Sequence, residues 1–358
     1  MRKRPAPGWL VLSVLAAIVT LAPVPARVVE TVYARGVYPW WQNGVTFASN
    51  LVPIALLDPM IVGLLILVVL RLVFVWRGRR GLLPELWEGL RRLLRGVAVV
   101  VLLFMLGWGL NYRRVPLADT LTAPAPPSVA ALTAAIGDAN ALAARLRPRL
   151  GDLSAISYAQ AADRLRGPMH AALQAIDRPT MFRPGRPKFS LILSPFFTWA
   201  GINGMLNPLV LESIVQADLL PFERGFVLAH EWAHLAGYAD EAEASAVGWL
   251  ACMKGDPALA YSASLYLILE AGGALPGPAR TKVFAALDAG VREDLARMAE
   301  RMTRQRPEVQ RAASRVYDNY LKANRVADGN ASYGRALTLI LSPDLRRALD
   351  AYTPSSGQ

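Results

Sequence analysis

Three long apolar runs fill the first third of the chain: Trp9 to Val24, about Leu51 to Trp76, and Gly96 to about Leu110. A helix that crosses a bilayer needs roughly 17–25 mostly apolar residues, so each run is long enough or nearly so. They account for the 54% hydrophobic content of the 358 residues, which exceeds the roughly 45–50% of a soluble domain. The net charge of +12 is concentrated in the same region. Residues 1–115 hold 14 Lys+Arg against 4 Asp+Glu, whereas the remainder is nearly balanced. Basic residues lying between apolar runs describe membrane orientation, and no basic stripe with interleaved aromatics is present, so nucleic acid is not an expected partner.

The expected organisation is therefore a membrane anchor over 1–112, with three transmembrane helices at about 9–26, 55–76 and 96–112. The first run has a second reading as a cleaved signal peptide, because Arg2, Lys3 and Arg4 precede it and Val24-Pro25-Ala26 ends it. Arg77, Arg79, Arg80, Arg91, Arg92 and Arg95 dominate the connection after the second run, while 27–50 holds only Arg27 and Arg35. Positive residues face the cytoplasm, so everything after the third run is expected outside it. That gives a multi-pass protein of the cytoplasmic (inner) membrane, with the bilayer as a partner and an extracytoplasmic C-terminal domain. Arg113 and Arg114 run mildly against this orientation. Asp58 is expected at an outer helix boundary beside Pro59, and Arg71 is expected to reach toward the inner surface.

A linker over 113–128, proline-rich between Thr122 and Ser128, leads to a domain over 129–358. Helical patterns are expected over about 129–147 and 155–176, then a loop over 178–188. Lys188 to Leu193 is the best strand, Pro208 to Glu212 a weaker one, and helices follow to the end. The fold class is α+β and helix-dominated, with a small sheet beside one buried helix. Whether the 188–193 strand lies at a sheet edge, where an extended peptide could pair with it, is open at this stage.

Chemistry is concentrated at His230-Glu231-Trp232-Ala233-His234. Residues four apart share one face of a helix, so both imidazoles can reach one metal ion. Glu231 lies one residue along, placed to act as general base on a metal-bound water, whose pKa zinc lowers to about 7. Two of the three histidines in the chain are these. A catalytic zinc takes three protein ligands, and three carboxylates follow. Gly237 is expected to end the helix, and Asp240 to cap a new one from Glu241 to about Met253. Glu243, one turn inside that helix, is the preferred third ligand, ahead of Asp240 and then Glu241. With Asp240, the spacing resembles the metzincin pattern with Asp in place of the third His.

Several separated blocks resemble one bacterial family, domain-of-unknown-function family 3810. They are Trp108-Gly109-Leu110-Asn111-Tyr112 with Arg114-Val115-Pro116-Leu117, Asn207-Pro208 with Glu212, His230 to Ala244, and Tyr317 to Asn324 with Ser332-Tyr333-Gly334. The resemblance implies membrane proteins with an extracytoplasmic, zincin-like (gluzincin-like) domain. It also implies a Glu-x-Glu-Ala segment after the motif helix, matched here by Glu241 to Ala244, which favours Glu243. Ser245 stands where that pattern has Asn.

The expected function is a membrane-anchored, zinc-dependent metallopeptidase-like hydrolase acting on a peptide or protein substrate. Zn2+ is held by His230, His234 and Glu243, and Glu231 is catalytic. A metal-binding but non-hydrolytic module for envelope assembly or interaction is the alternative; an accidental motif is the third reading. His170 reads as a surface or core residue and Cys252 as a small buried hydrophobe, since one cysteine builds neither an intrachain disulfide nor a cysteine zinc site. Tyr317, Tyr320 and Tyr333 read first as packing residues and second as oxyanion donors.

Overall fold

A computed structural model describes residues 8–77, 82–122, 125–151, 156–179, 181–326 and 335–350. In the N-terminal third, α1 (Gly8–Leu21) stops before Pro23 and Pro25. The chain resumes as α2 (Ala26–Val28), a π-helical stretch over Val29–Val37, and α3 (Tyr38–Asn50). Then come α4 (Leu57–Arg77) and α5 (Leu82–Gly107), with α1 packed along α5.

None of the Leu57–Phe74 stretch of α4 is buried, and its exposed large side chains are Leu, Val and Ile with Met60 and Phe74. Two helices among the described residues are long and apolar enough to cross a membrane, or three if α1 and the 26–50 segment count as one bent span. The second of the two is Val129–Arg149, which buries Leu132, Ala135, Ile136, Ala139 and Ala143 against the C-terminal half. The expected run at 96–112 is the end of α5, whose first half carries Arg91, Arg92 and Arg95. Its helix stops at Gly107, and Gly109–Arg113 form a 3-10 turn. The 26–50 segment, expected as an outer connection, is helical and bends from α1 by 105°.

The C-terminal half is helix-dominated. Its helices are α6 (Val129–Leu146), α7 (Tyr158–Ala175), α8 (Ser194–Ala200), α9 (Pro221–Leu235), α10 (Glu241–Met253), α11 (Pro257–Ala274), α12 (Gly277–Ala285), α13 (Ala289–Met302), α14 (Pro307–Ala323), α15 (Ala336–Ile340) and α16 (Pro343–Asp350). The first two lie where the periodicity predicts them. Every residue of α10 from Glu241 to Cys252 is buried, inside a shell of α7, α9, α11 and α15. A helix buried all round leaves each of its charged groups in need of a partner within the protein.

The sheet has three short strands, β1 (Pro187–Lys188), β2 (Gly204–Asn207) and β3 (Glu212–Val215), in the order β1-β3-β2. β1 runs parallel to β3 with Lys188 opposite Ile214; β2 runs antiparallel with Gly204 opposite Val215. Both strand expectations need correction. After Lys188 the chain turns away, because Asp58 at the start of α4 accepts the Leu191 amide at 2.7 Å and the Ser190 hydroxyl. Pro208 to Leu211 is the turn of the β2–β3 hairpin, opened by Asn207 Oδ1 accepting the Leu209 amide at 3.2 Å.

Glu212 joins the sheet to α4. Its carboxylate accepts the Leu56 and Leu57 amides at 2.8 and 2.9 Å, Lys188 Nζ at 2.9 Å and Asn207 Nδ2 at 3.0 Å. A fully buried anion with four donors caps the apolar helix at its positive end.

Candidate metal centre

Helix α9 starts at Pro221, and Glu223 reaches back to accept the Leu220 amide at 2.8 Å. It ends at Leu235, and the chain turns at Gly237, whose φ of +93° suits glycine. A Cβ there would also fall 3.0 Å from Asn111 Oδ1 and 3.1 Å from Tyr38. The turn brings the Tyr238 carbonyl under His234, which donates to it from Nδ1 at 2.7 Å. His230 Nδ1 pairs with Ser245 Oγ at 3.2 Å. With each Nδ1 engaged, both Nε2 atoms point into one space, 3.1 Å apart. Ser245 and the Tyr238 carbonyl thus fix the orientation of the two rings, as partners of the outer nitrogen do for histidines that bind metals.

Asp240 starts α10 as predicted, its Oδ1 accepting the Ala242 and Glu243 amides at 2.9 and 3.2 Å. Its Oδ2 pairs with Arg335 at 2.7 Å, so Asp240 is occupied as a cap. The carboxylate that reaches the imidazoles is that of Glu241. Its Oε2 lies 3.1 Å from His230 Nε2 and 3.3 Å from His234 Nε2, and its Oε1 accepts the Tyr317 hydroxyl. Glu243, the expected third ligand, is not the carboxylate that lies beside the imidazoles. Residues two apart on a helix project about 200° apart, and Glu243 Oε1 instead accepts the Leu117 amide, near Arg114 and Arg178.

Two donors about 2.05 Å from one tetrahedral ion lie about 3.3 Å apart. The three separations among His230, His234 and Glu241 are 3.1, 3.1 and 3.3 Å, so these donors fit a zinc-like ion. Burial disfavours charge on His234, yet the adjacent Glu241 carboxylate lifts it to about 9. Burial also works against Glu241, and the two imidazoles prevail and hold it below the usual carboxylate range. Burial lowers His230, with Glu241 opposing.

Glu231 is buried on the same helix, with one carboxylate oxygen, Oε2, making no hydrogen bond. Burial pushes it up to about 8. Its other oxygen lies against β2 at Gly204, where a Cβ would come within 2.4 Å of it. Nothing in the local sequence marks Gly204, because the strand reaches the helix only in the folded chain.

The C-terminal end of α9 is held by earlier parts of the chain. Trp108 Nε1 donates to the His234 carbonyl at 3.0 Å, Tyr38 to that of Leu235 at 2.8 Å and Arg114 to that of Gly237 at 2.9 Å. Arg114 also pairs at 3.1 Å with buried Glu30, which binds Arg178 and Arg35. Glu30 went unsingled in the sequence, although it is one of only four acidic residues in the first 115.

The remaining sequence candidates fall elsewhere. His170 packs edge-on against Phe182, away from the cluster, and Cys252 is fully buried. Tyr320 stacks on Tyr317 and lies 3.5 Å from the Tyr112 hydroxyl. Tyr333, with Ser332 and Gly334, lies outside the described residues, as do Arg79 and Arg80.

The fold and site define a helix-rich protein with two or three helices apolar enough for a membrane and a buried His–His–Glu cluster. The chain belongs to the family described as Protein of unknown function (DUF3810), matching it over residues 33–341. No curated protein and no solved structure matches the chain.

Proposed function

We propose that this chain is a membrane-anchored, metal-dependent hydrolase of peptide or other amide bonds, with a zinc-type ion held by His230, His234 and Glu241. The carrying observation is the convergence of three ligand atoms beside a buried carboxylate, Glu231, that has an unengaged oxygen. A purely structural site has no use for that fourth group. When bound, such an ion supplies Lewis acidity and makes water acidic enough to give up a proton near neutral pH. Beside the positive charge of such an ion Glu231 would be ionised, placed to take that proton and pass it to a leaving amine, and Gly204 leaves room for its carboxylate. Tyr317 holds the outer oxygen of Glu241, and Ser245 and the Tyr238 carbonyl hold the two rings. The anchor in this reading is α4 with α5 and α1; the basic residues around the α4–α5 junction support a cytoplasmic position for that end, which leaves the site outside.

Metal analysis of the detergent-purified protein tests the centre. About one zinc per chain is expected, from the single donor set, with loss in His230→Ala. Glu231→Gln should keep the ion while abolishing cleavage, read by comparing the N-termini of envelope proteins in cells carrying either form. A folded protein that takes up no metal when zinc is offered ends the proposal. A Glu231→Gln strain with an unchanged cleavage pattern ends its hydrolytic part.

A further inference from the structure

Helix α3 is built the wrong way round for a helix on a soluble surface. It has no charged residue, and its polar side chains point inward: Gln42 donates to the Arg183 carbonyl at 2.8 Å and Thr46 to that of Leu211 at 3.1 Å. Its outer side carries Trp40, Trp41 and Phe47, exposed by 71%, 45% and 52%. A solvent-facing helix places charges there. A second bare apolar patch follows β1, where Leu191, Ile192 and Phe196 are exposed by 83%, 42% and 38%.

Both patches are pinned to ends of the apolar helices. Leu191 is bonded through its amide to Asp58 in the first turn of α4. Trp41 lies against Gly107, the last residue of α5, where a Cβ would be 3.4 Å from its indole nitrogen. The 26–50 segment bends by 105° from α1, which itself runs along α5, so α3 lies across those helices rather than beside them.

We infer that α3 and the Leu191–Phe196 segment form one seat on the lipid bilayer, lying in the plane of its outer surface with Trp40, Trp41, Phe47, Leu191, Ile192 and Phe196 in the headgroup–acyl boundary. Helices of this kind bury an apolar, aromatic-rich face about 5–10 Å into that boundary, and Trp favours that depth. Lipid is the occupant because a bilayer crossed by α4 already surrounds the ends to which both patches are fixed. The inference rests on reading α4 as a membrane span. Trp108, next after the end of α5, bonds the His234 carbonyl, so the candidate centre lies just above this seat. The polypeptides within its reach are those held at the bilayer surface.

The test uses the full chain in phospholipid vesicles, with Leu191→Cys and Trp40→Cys each carrying a spin label. Collisions with oxygen, which partitions into lipid, are compared with collisions with a water-soluble nickel chelate. Leu67→Cys on α4 and Val316→Cys on α14 are the references, both at exposed positions. Cys252 is fully buried, and the unsubstituted chain gives the background. Leu191 and Trp40 are largely exposed, so replacing them removes little packing. The expected result is an oxygen-to-nickel ratio at 191 and 40 severalfold above that at 316 and close to that at 67. Nickel access at 191 and 40 with lipid access at 67 overturns the seat and leaves the span intact. Nickel access at all four removes the span reading and the seat with it. Shielding from both reagents at 191 and 40 means that protein covers the patches, and also overturns the inference.

Discussion

Glu241 and Glu243 are separated by one residue, yet replacing each with Gln is expected to have very different consequences. His234 stands at about 9 against an ordinary 6.5, although burial alone would lower it. At about 1.4 kcal/mol per pKa unit, the groups around His234 together supply about 3 kcal/mol to holding one positive charge among these donors, and Glu241 supplies the largest part, ahead of Glu231 and the Tyr238 carbonyl. A divalent ion carries twice that charge. Glu241→Gln, which keeps the shape and loses the charge, should weaken zinc binding by at least about 100-fold. Glu243 faces the Leu117 amide instead, so Glu243→Gln should change affinity by less than about tenfold. Both affinities can be read by competition with a chromophoric chelator, and the His234 titration by NMR of the ion-free protein. In Glu241→Gln that titration should fall, since the largest group opposing burial is gone and only Glu231 and the Tyr238 carbonyl remain to oppose it. Wild-type zinc affinity in Glu241→Gln, or an equal loss in folded Glu243→Gln, would refute the assignment.

The ion-free protein should also lose stability as pH rises. His234, Glu231 and Glu243 are raised to about 9, 8 and 7, from 6.5 for the histidine and 4.5 for the carboxyls. A raised pKa stabilises the fold fully below the unfolded value and ceases to as pH passes the folded one. Chelator-treated protein should thus show a falling Tm between pH 5 and pH 9, and a rising Tm would contradict these environments. Gly204→Ala should keep its zinc but lose roughly 100-fold in hydrolysis, because the new Cβ would lie 2.4 Å from Glu231 Oε1 and displace it; unchanged turnover would remove Glu231 from the reaction. Tyr317→Phe should weaken zinc binding by about tenfold through loss of the bond to Glu241, and unaltered affinity would leave Tyr317 a packing residue.

What was legible in the sequence was local. The four-residue spacing of His230 and His234, the glycine stop at 237 and the Asp240 cap each depend on a few neighbouring residues. The choice of Glu241 over Glu243 depends on how α10 is rotated within its shell. That rotation is set with help from the Leu117 amide, more than a hundred residues earlier in the chain. The strands were misplaced because a two-residue and two four-residue strands show too little alternation to be read, and because Asp58 bends the chain away after Lys188. Segment 26–50 does carry a signal. Tyr38, Gln42, Thr46 and Ser49 recur at helical spacing and are buried, but three of the four are polar. Reading apolar residues as the inner face hides a helix that buries its polar side.

The sequence divides naturally into an anchor ending near 112 and a domain beginning near 129, but α9 depends on both sides of that division. Its last carbonyls are bonded by Trp108, Tyr38 and Arg114, and Arg114 and Arg178 share buried Glu30. A fragment of residues 113–358 loses Trp108, Tyr38 and Glu30. Two carbonyls at the end of the motif helix and two buried guanidinium groups are then left without these partners. Each such loss costs about 1–3 kcal/mol, more for the charged groups. Together they approach the ~5–15 kcal/mol that stabilises a whole domain. The fragment is therefore expected to be unfolded or aggregated when expressed alone, and to hold no stoichiometric zinc. The comparison is with full-length protein in detergent, by circular dichroism and metal analysis. A soluble, folded, zinc-loaded 113–358 would show that the N-terminal third is a tether only. Failure of the fragment beside an intact full chain would make Trp108, Tyr38 and Glu30 part of the scaffold that shapes the centre.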